Sequence, residues 1–378
     1  MADNPASPAP PVPRPAPAGP AHIDLALLEE EARSAMGEMP YAYYAGGADG
    51  EDLLGDNVAA WRRWRLHPRV LVDVSAVSCA TTVLGQPVAS PVLVAPTAIQ
   101  GLAHPDGEVA AARGAAAAGV CFVLSALATR SLEEVNAGAP GAPRWMQIYV
   151  LRDRGRTAEL ARRAAASGYG ALVLTVDAPV SGLRLRELRA GVHLPDDLEL
   201  PNLSGPSTAR AREGGFMAVV TGEFDPALRA EDIGWLASVS GLPVVVKGVL
   251  RADDAARCVA AGATAVIVSN HGARQLDDAP ATADVLGEVV DAVGDRAEVY
   301  VDGGLRRPPD VAKALALGAR GVLVGRPVLW ALATGGADGV TALLEWFGAE
   351  LARTMALCGA PAVADLTADL VRPGAVLR

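Results

Sequence analysis

From residue 91 onward, short apolar runs alternate with stretches of small residues at helical spacing. The runs are PVLVAPTAI, VCFVLSALA, WMQIYVL, ALVLTVDA, PVVVKGVL, AVIVSNHG, EVYVDGG and GVLVGRP. Each holds about 5 to 8 residues of strand character, the pattern of strands covered on both faces of a parallel sheet. Segments such as GEVAAARGAAAAG and PPDVAKALALG separate them, have helix length and end in glycine, a natural residue just past a helix C-terminus. Eight such units in succession predict an α/β fold, a closed (β/α)8 barrel of the TIM type. An open doubly wound sheet would need fewer strands and a phosphate loop after the first. The first run ends in APTAIQG, which contains no GxGxxG.

The flanks extend this picture. IDLALLEEEARSAM, beginning near His22, has apolar residues at helical spacing and predicts an N-terminal helical extension. Eight of the first twenty residues are proline, which removes backbone donors. Residues 1–21 are therefore expected to be a disordered Pro/Ala tail, with docking into an aromatic groove as the alternative. The barrel domain is then 22–378. Between the fourth and fifth runs, residues 179–242 are too many for a simple connection, and 195–226 are polar and rich in Pro and Gly. A long loop after strand 4 of this kind reads as an active-site lid or a disordered segment.

Composition narrows the function. Half the residues (51%) are hydrophobic, enough for a large core. The net charge is -10 with no basic block, which argues against nucleic acid, because phosphates need clustered Lys and Arg. Cys79, Cys121, Cys258 and Cys358 are widely spaced, so neither a disulfide framework nor a metal site is expected. No run of about 18 uninterrupted apolar residues and no basic-then-apolar leader is found, so the expectation is a cytoplasmic protein without a membrane span.

Polar residues are missing from the strand bodies and gather where the runs end: Ser125, Gln147 and Tyr149, Thr175 and Asp177, Lys247, Ser269 to His271, and Asp302. In a parallel barrel these ends share one rim, where the loops converge and the chemistry sits. The stretch SNHGARQLD is the most informative. An imidazole with an ordinary pKa of about 6.5 exchanges protons at neutral pH. Arg274, three residues on, offers a planar fork for a carboxylate. Together His271 and Arg274 suit an anionic acid that loses hydrogen from the neighbouring carbon. The other histidines (His22, His67, His104, His193) lack such company.

SNHGARQLD resembles the signature of the FMN-dependent 2-hydroxy-acid oxidases and dehydrogenases. YAYYAGGA (41–48), APTA (95–98), QIYV (147–150), LTVDAP (174–179), VKG (246–248), DGGLRR (302–307) and GRP (325–327) match in order, so the resemblance spans Tyr41 to Cys358. It implies an enzyme that binds FMN and oxidises an (S)-2-hydroxy acid, with dioxygen as acceptor and hydrogen peroxide as product. It also implies a homotetramer. Carried over by position, His271 is the base and Asp177 its partner. Tyr43, Arg184 and Arg274 bind the substrate carboxylate, and Tyr149 the hydroxyl. Thr97, Ala98, Ser125, Gln147, Thr175 and Lys247 hold the flavin ring, Asp302 the ribityl chain, and Arg306, Gly325 and Arg326 the phosphate. Pro96, Ser269, Gly303 and Gly304 are further cofactor-binding residues.

Two departures bear on these roles. Leu185 stands where the family has an acidic residue after Arg184, so Arg186 or Arg189 is an alternative holder of that role. Leu127 stands where glycolate oxidases of the plant type carry Trp and where relatives that oxidise hydroxymandelate carry small or aliphatic residues, and this points to an aryl 2-hydroxy acid. Lactate or glycolate as substrate, a dehydrogenase using another electron acceptor, and a flavin-binding barrel without redox turnover stay open as alternatives. Hydride transfer and carbanion formation both use the same base.

Overall fold

The computed structural model describes residues 22–203 and 222–374. The expected Pro/Ala tail (1–21) lies outside the described residues, as does the centre of the long connection (204–221). Eight parallel strands close into a barrel. We label them β1 (Val92–Val94), β2 (Phe122–Leu124), β3 (Arg144–Ile148), β4 (Leu172–Thr175), β5 (Val244–Val249), β6 (Ala265–Val268), β7 (Glu298–Val301) and β8 (Gly321–Val324). Pairing of Val322 with Val92 joins the last strand to the first. The eight apolar runs therefore correspond to eight barrel strands. They are shorter than the runs because each run continues past its strand into the rim.

The strands are buried on both faces, and their residues divide into two cores by a two-residue alternation. Leu93, Val123, Trp145, Val173, Val245, Ile267, Tyr300 and Leu323 share one cluster with Val83 and Val88. Their neighbours Val94, Leu124, Leu174, Val268 and Val324 belong to the larger cluster under the helices. The first set fills the barrel interior, and the hairpin Thr81–Val83/Gln86–Val88 stops its lower end. Counting two residues onward from each interior position reaches Ala95, Ser125, Gln147, Thr175, Lys247, Ser269, Asp302 and Gly325. The period of a strand thus carries these side chains to one inward-facing layer at the upper rim.

The N-terminal extension is helical as expected. Helix α1 (Leu25–Met36) is capped by Asp24, which accepts from the Ala26 and Leu27 N–H groups. Helices α2 (Glu38–Ala45) and α3 (Asp52–Arg63) follow and bring Tyr43 and Tyr44 to the upper rim. Among the described residues the helix Arg326–Cys358 is long and apolar enough to cross a membrane by length and composition. It is broken at Gly336 (φ 57°), however, and much of its apolar surface, including Leu329, Trp330, Leu343 and Phe347, is buried in the core.

Candidate active site

The loop after β6 sets the site. His271, Gly272 and Ala273 all adopt positive φ (59°, 63° and 64°). That conformation is costly for a residue with a Cβ and typical of functional sites. Surrounding bonds enforce it. The Ser269 hydroxyl accepts from the His271 N–H at 3.0 Å, and Asn270 Oδ1 accepts from the Ala273 N–H at 3.2 Å. Asn270 is itself paired with Asn57 of α3, in both directions, at 3.0 and 2.8 Å. The result turns the imidazole back so that Nδ1 meets Asp177 Oδ1 at 2.8 Å.

Burial disfavours the imidazolium and outweighs the Asp177 charge, so the His271 pKa lies below 6.5. The ring is neutral at pH 7. Donation from Nδ1–H to Asp177 leaves the Nε2 lone pair as the basic atom. Burial works against the Asp177 charge, but His271 and Lys247 hold its pKa below the usual value. Close approach of Asp177 depends on Gly248. There β5 bulges between Lys247 and Val249, φ is +108°, and a Cβ would lie 2.6 Å from Asp177 Cβ and Cγ.

Above the barrel a cleft of about 990 Å³, its open mouth included, takes in all of the inward layer but Ser269, with the loops around it. It is lined by Tyr43, Pro96, Thr97, Ala98, Ser125, Gln147, Tyr149, Thr175, Arg184, Lys247, His271, Arg274, Asp302, Gly303, Gly304, Arg306, Gly325 and Arg326. Two expected site residues stand behind it. Asp177 reaches the cleft only through His271. Ser269, expected to bind cofactor, is fully buried and does not line the cleft. Its hydroxyl accepts from Lys247 Nζ at 2.9 Å and from the His271 N–H, so it orients those two groups. The alternatives to Arg184 are also resolved: Arg186 pairs with Glu51, Arg189 is exposed, and neither lines the cleft.

The wall is pre-ordered by side-chain bonds. Gln147 Nε2 donates to Thr175 Oγ1 at 3.0 Å, while its Oε1 accepts from Ser125 Oγ at 3.3 Å and from the Ala126 N–H at 3.1 Å. Lys247 pairs with Asp302 at 3.1 Å. Burial opposes the ammonium, but Asp302 and Asp177 more than offset it and raise its pKa.

Several contributors were not anticipated from the sequence. Glu187 Oε1 accepts from Arg274 Nη2 at 2.7 Å and from Arg184 Nη1 at 3.5 Å, clamping both guanidinium groups. Buried Glu108 ties the Pro96–Ala98 loop to the loop after β2 by accepting from Gln100 N–H, Thr129 N–H and the Thr129 hydroxyl. Tyr44, Leu305 and Leu329 complete the apolar lining. Glu187 carried a sequence signal as the acid inside an Arg-rich stretch, and Tyr44 and Leu305 lie within the matched motifs YAYYAGGA and DGGLRR.

Charge in the cleft opposes the charge of the chain. Arg184, Lys247, Arg274, Arg306 and Arg326 face it, with Asp302 as the acid lining it. Burial and the neighbouring Arg274 and Arg306 pull the Arg326 pKa down to about 9, a sign of an unbalanced positive pocket that an anion would relieve.

This arrangement has known counterparts. The sequence profile described as "FMN-dependent dehydrogenase" matches residues 32–373. The chain belongs to that family. It is 49% identical to an L-lactate oxidase of Nostoc sp. over 91% of its own length and 96% of the relative's. It is 44% identical to 2-hydroxyacid oxidase 1 of Homo sapiens, over 91% and 95%. Among solved structures, mandelate oxidase with (S)-4-hydroxymandelic acid superposes with a TM-score of 0.89 at 43% identity, covering 94% of this chain and all (100%) of that one.

The residues fit the FMN that defines the family. Asp302 Oδ1 is buried with no protein partner among the described residues, as expected for an atom that binds a ligand hydroxyl. Gly303 and Gly304 have positive φ (92° and 77°), and a Cβ on Gly304 would sit 2.1 Å from the Asn57 carbonyl oxygen. The backbone can therefore follow this path along the cleft only with glycine there. Arg306 and Arg326 line the cleft past the ends of β7 and β8, where barrels of this type bind phosphate, and would supply charge for one terminal phosphate.

Proposed function

We propose that the protein is an FMN-dependent (S)-2-hydroxy-acid oxidase that converts an aryl 2-hydroxy acid such as mandelate or 4-hydroxymandelate to the 2-oxo acid. The observation that carries this reading is the His271–Asp177 pair beside Arg184, Arg274, Tyr43 and Tyr149 in one cleft. Arg184 and Arg274 fix the substrate carboxylate, with Tyr43 beside them. Tyr149, whose phenol burial keeps protonated, meets the C2 hydroxyl. His271 Nε2 takes one proton from the substrate, and Asp177 stabilises the imidazolium that forms. FMN, when bound, would accept the remaining hydrogen with the electron pair, with dioxygen as the final oxidant and hydrogen peroxide as the product. Oxidases acting on lactate, glycolate and other 2-hydroxy acids among the relatives support oxygen as the acceptor. The homotetramer implied by the sequence resemblance and a cytoplasmic location belong to the same proposal.

Leu127 supports the aryl substrate. It is buried, lines the cleft, and offers an aliphatic wall where an indole would fill space. Anaerobic (S)-mandelate should bleach the flavin of the purified protein, and in air peroxide should form with a higher kcat/KM for mandelate than for glycolate. Leu127→Trp should shift that ratio toward glycolate by about tenfold or more, since small changes of pocket fit are worth about 1–3 kcal/mol. A ratio favouring glycolate in the unmodified enzyme would refute the aryl assignment.

A further inference from the structure

Tyr149 stands between two clefts. One is the cleft of His271 and Arg274. The other, about 1020 Å³ including its mouth, is lined by Pro179, Phe224, Leu228, Ile233 and Val249 as well as Tyr149. A phenol placed just past the end of β3, with space behind it, is not held by the barrel alone. Phe224 closes that side. Its ring stacks on Tyr149 with centroids 4.1 Å apart and planes 14° apart, and it is 3% exposed.

Phe224 lies on the returning limb of the long connection between β4 and β5, and that limb is zipped to the chain that follows β3. Phe224 bridges Leu151 in antiparallel register. The Arg152 N–H donates to the Glu223 carbonyl at 2.8 Å and the Asp225 N–H to the Val150 carbonyl at 2.9 Å. The residues on either side of Phe224 make the ion pairs Arg154–Asp225 (2.6 Å) and Arg156–Glu223 (2.9 Å).

We propose that Phe224 is a positioning residue: by stacking on Tyr149 it holds the phenol toward the substrate's C2 hydroxyl, so that docking of this limb readies the site. The inference rests on the role given to Tyr149 above. An aromatic stack biases a ring by about 2- to 12-fold, and misplacing a group that meets the reacting centre adds to that.

The test uses the FMN-loaded enzyme. Phe224→Leu keeps apolar bulk and loses the stack, with Phe224→Met as a second stack-free variant, while Phe224→Tyr retains it. Anaerobic flavin reduction by (S)-mandelate should slow about tenfold in the stack-free variants and recover to within about threefold in Phe224→Tyr. The dissociation constant of phenylacetate, which lacks the C2 hydroxyl, should stay unchanged. In a Tyr149→Phe background, Phe224→Leu should add nothing. Equal weakening of phenylacetate binding, or an undiminished effect in the Tyr149→Phe background, would show general loosening and overturn the proposal. A Tyr149→Phe enzyme with unaltered reduction would instead remove the role of Tyr149 itself, a separate result that takes this inference with it.

Discussion

His271 shows at the scale of one residue how chemistry is set by backbone and burial together. Its positive φ is held by Ser269 and Asn270, and its proton by Asp177. Because burial puts its pKa below 6.5, the basic form is already dominant at neutral pH. Accordingly kcat/KM should be near its maximum at neutral pH and fall as pH drops through the lowered pKa, when Nε2 becomes protonated. A pH–rate profile that instead climbs between pH 7 and 8 would count against His271 as base. His271→Ala should reduce the rate of anaerobic flavin reduction by about 10³-fold or more, with FMN content unchanged. Near-normal reduction in that variant would assign the base elsewhere.

Among the elements, β5 does the least regular work. Its register breaks between Lys247 and Val249, and at Gly248 between them the missing Cβ leaves the room that Asp177 occupies. Gly248→Ala must push the carboxylate away from His271, because the added Cβ would be 2.6 Å from Asp177 Cβ and Cγ. Flavin reduction should slow by about tenfold or more. The acidic limb of the pH profile should move further down, since Asp177 is the group that raises the His271 pKa. A slowed variant with an unmoved limb would mean that Asp177 had kept its place. The connection after β4 is the other irregular element. Its 195–226 stretch was expected to be a lid or disordered, and its described ends are packed. Asn202 accepts from the Leu132 N–H at 3.0 Å and donates to the Arg130 carbonyl at 2.9 Å, while Phe224 is buried on Tyr149.

For the whole molecule, a chain of net charge -10 concentrates cations in one cleft. FMN should therefore stabilise the fold as well as serve the reaction. At about 100 times its dissociation constant the gain is about 2.7 kcal/mol, which for a chain of this size raises Tm by about 3 °C. Riboflavin, lacking the phosphate, should raise Tm less at equal concentration. An equal shift would remove Arg306 and Arg326 as the phosphate site. The sequence by itself determined the barrel and the membership of its rim. Eight apolar runs can be buried in parallel in few ways, and the two-residue period of a strand carries Ser125, Gln147, Thr175, Lys247 and Asp302 to one face. Motif spacing likewise put His271 beside Arg274. Only the tertiary structure decided that Ser269 orients rather than lines, that Glu187 clamps Arg184 and Arg274, that Arg184 and not Arg186 enters the cleft, and that Phe224 backs Tyr149. Each of these is a contact between residues far apart in the chain or a choice among like neighbours. No local period encodes such a contact; it exists once packing has brought the loops together.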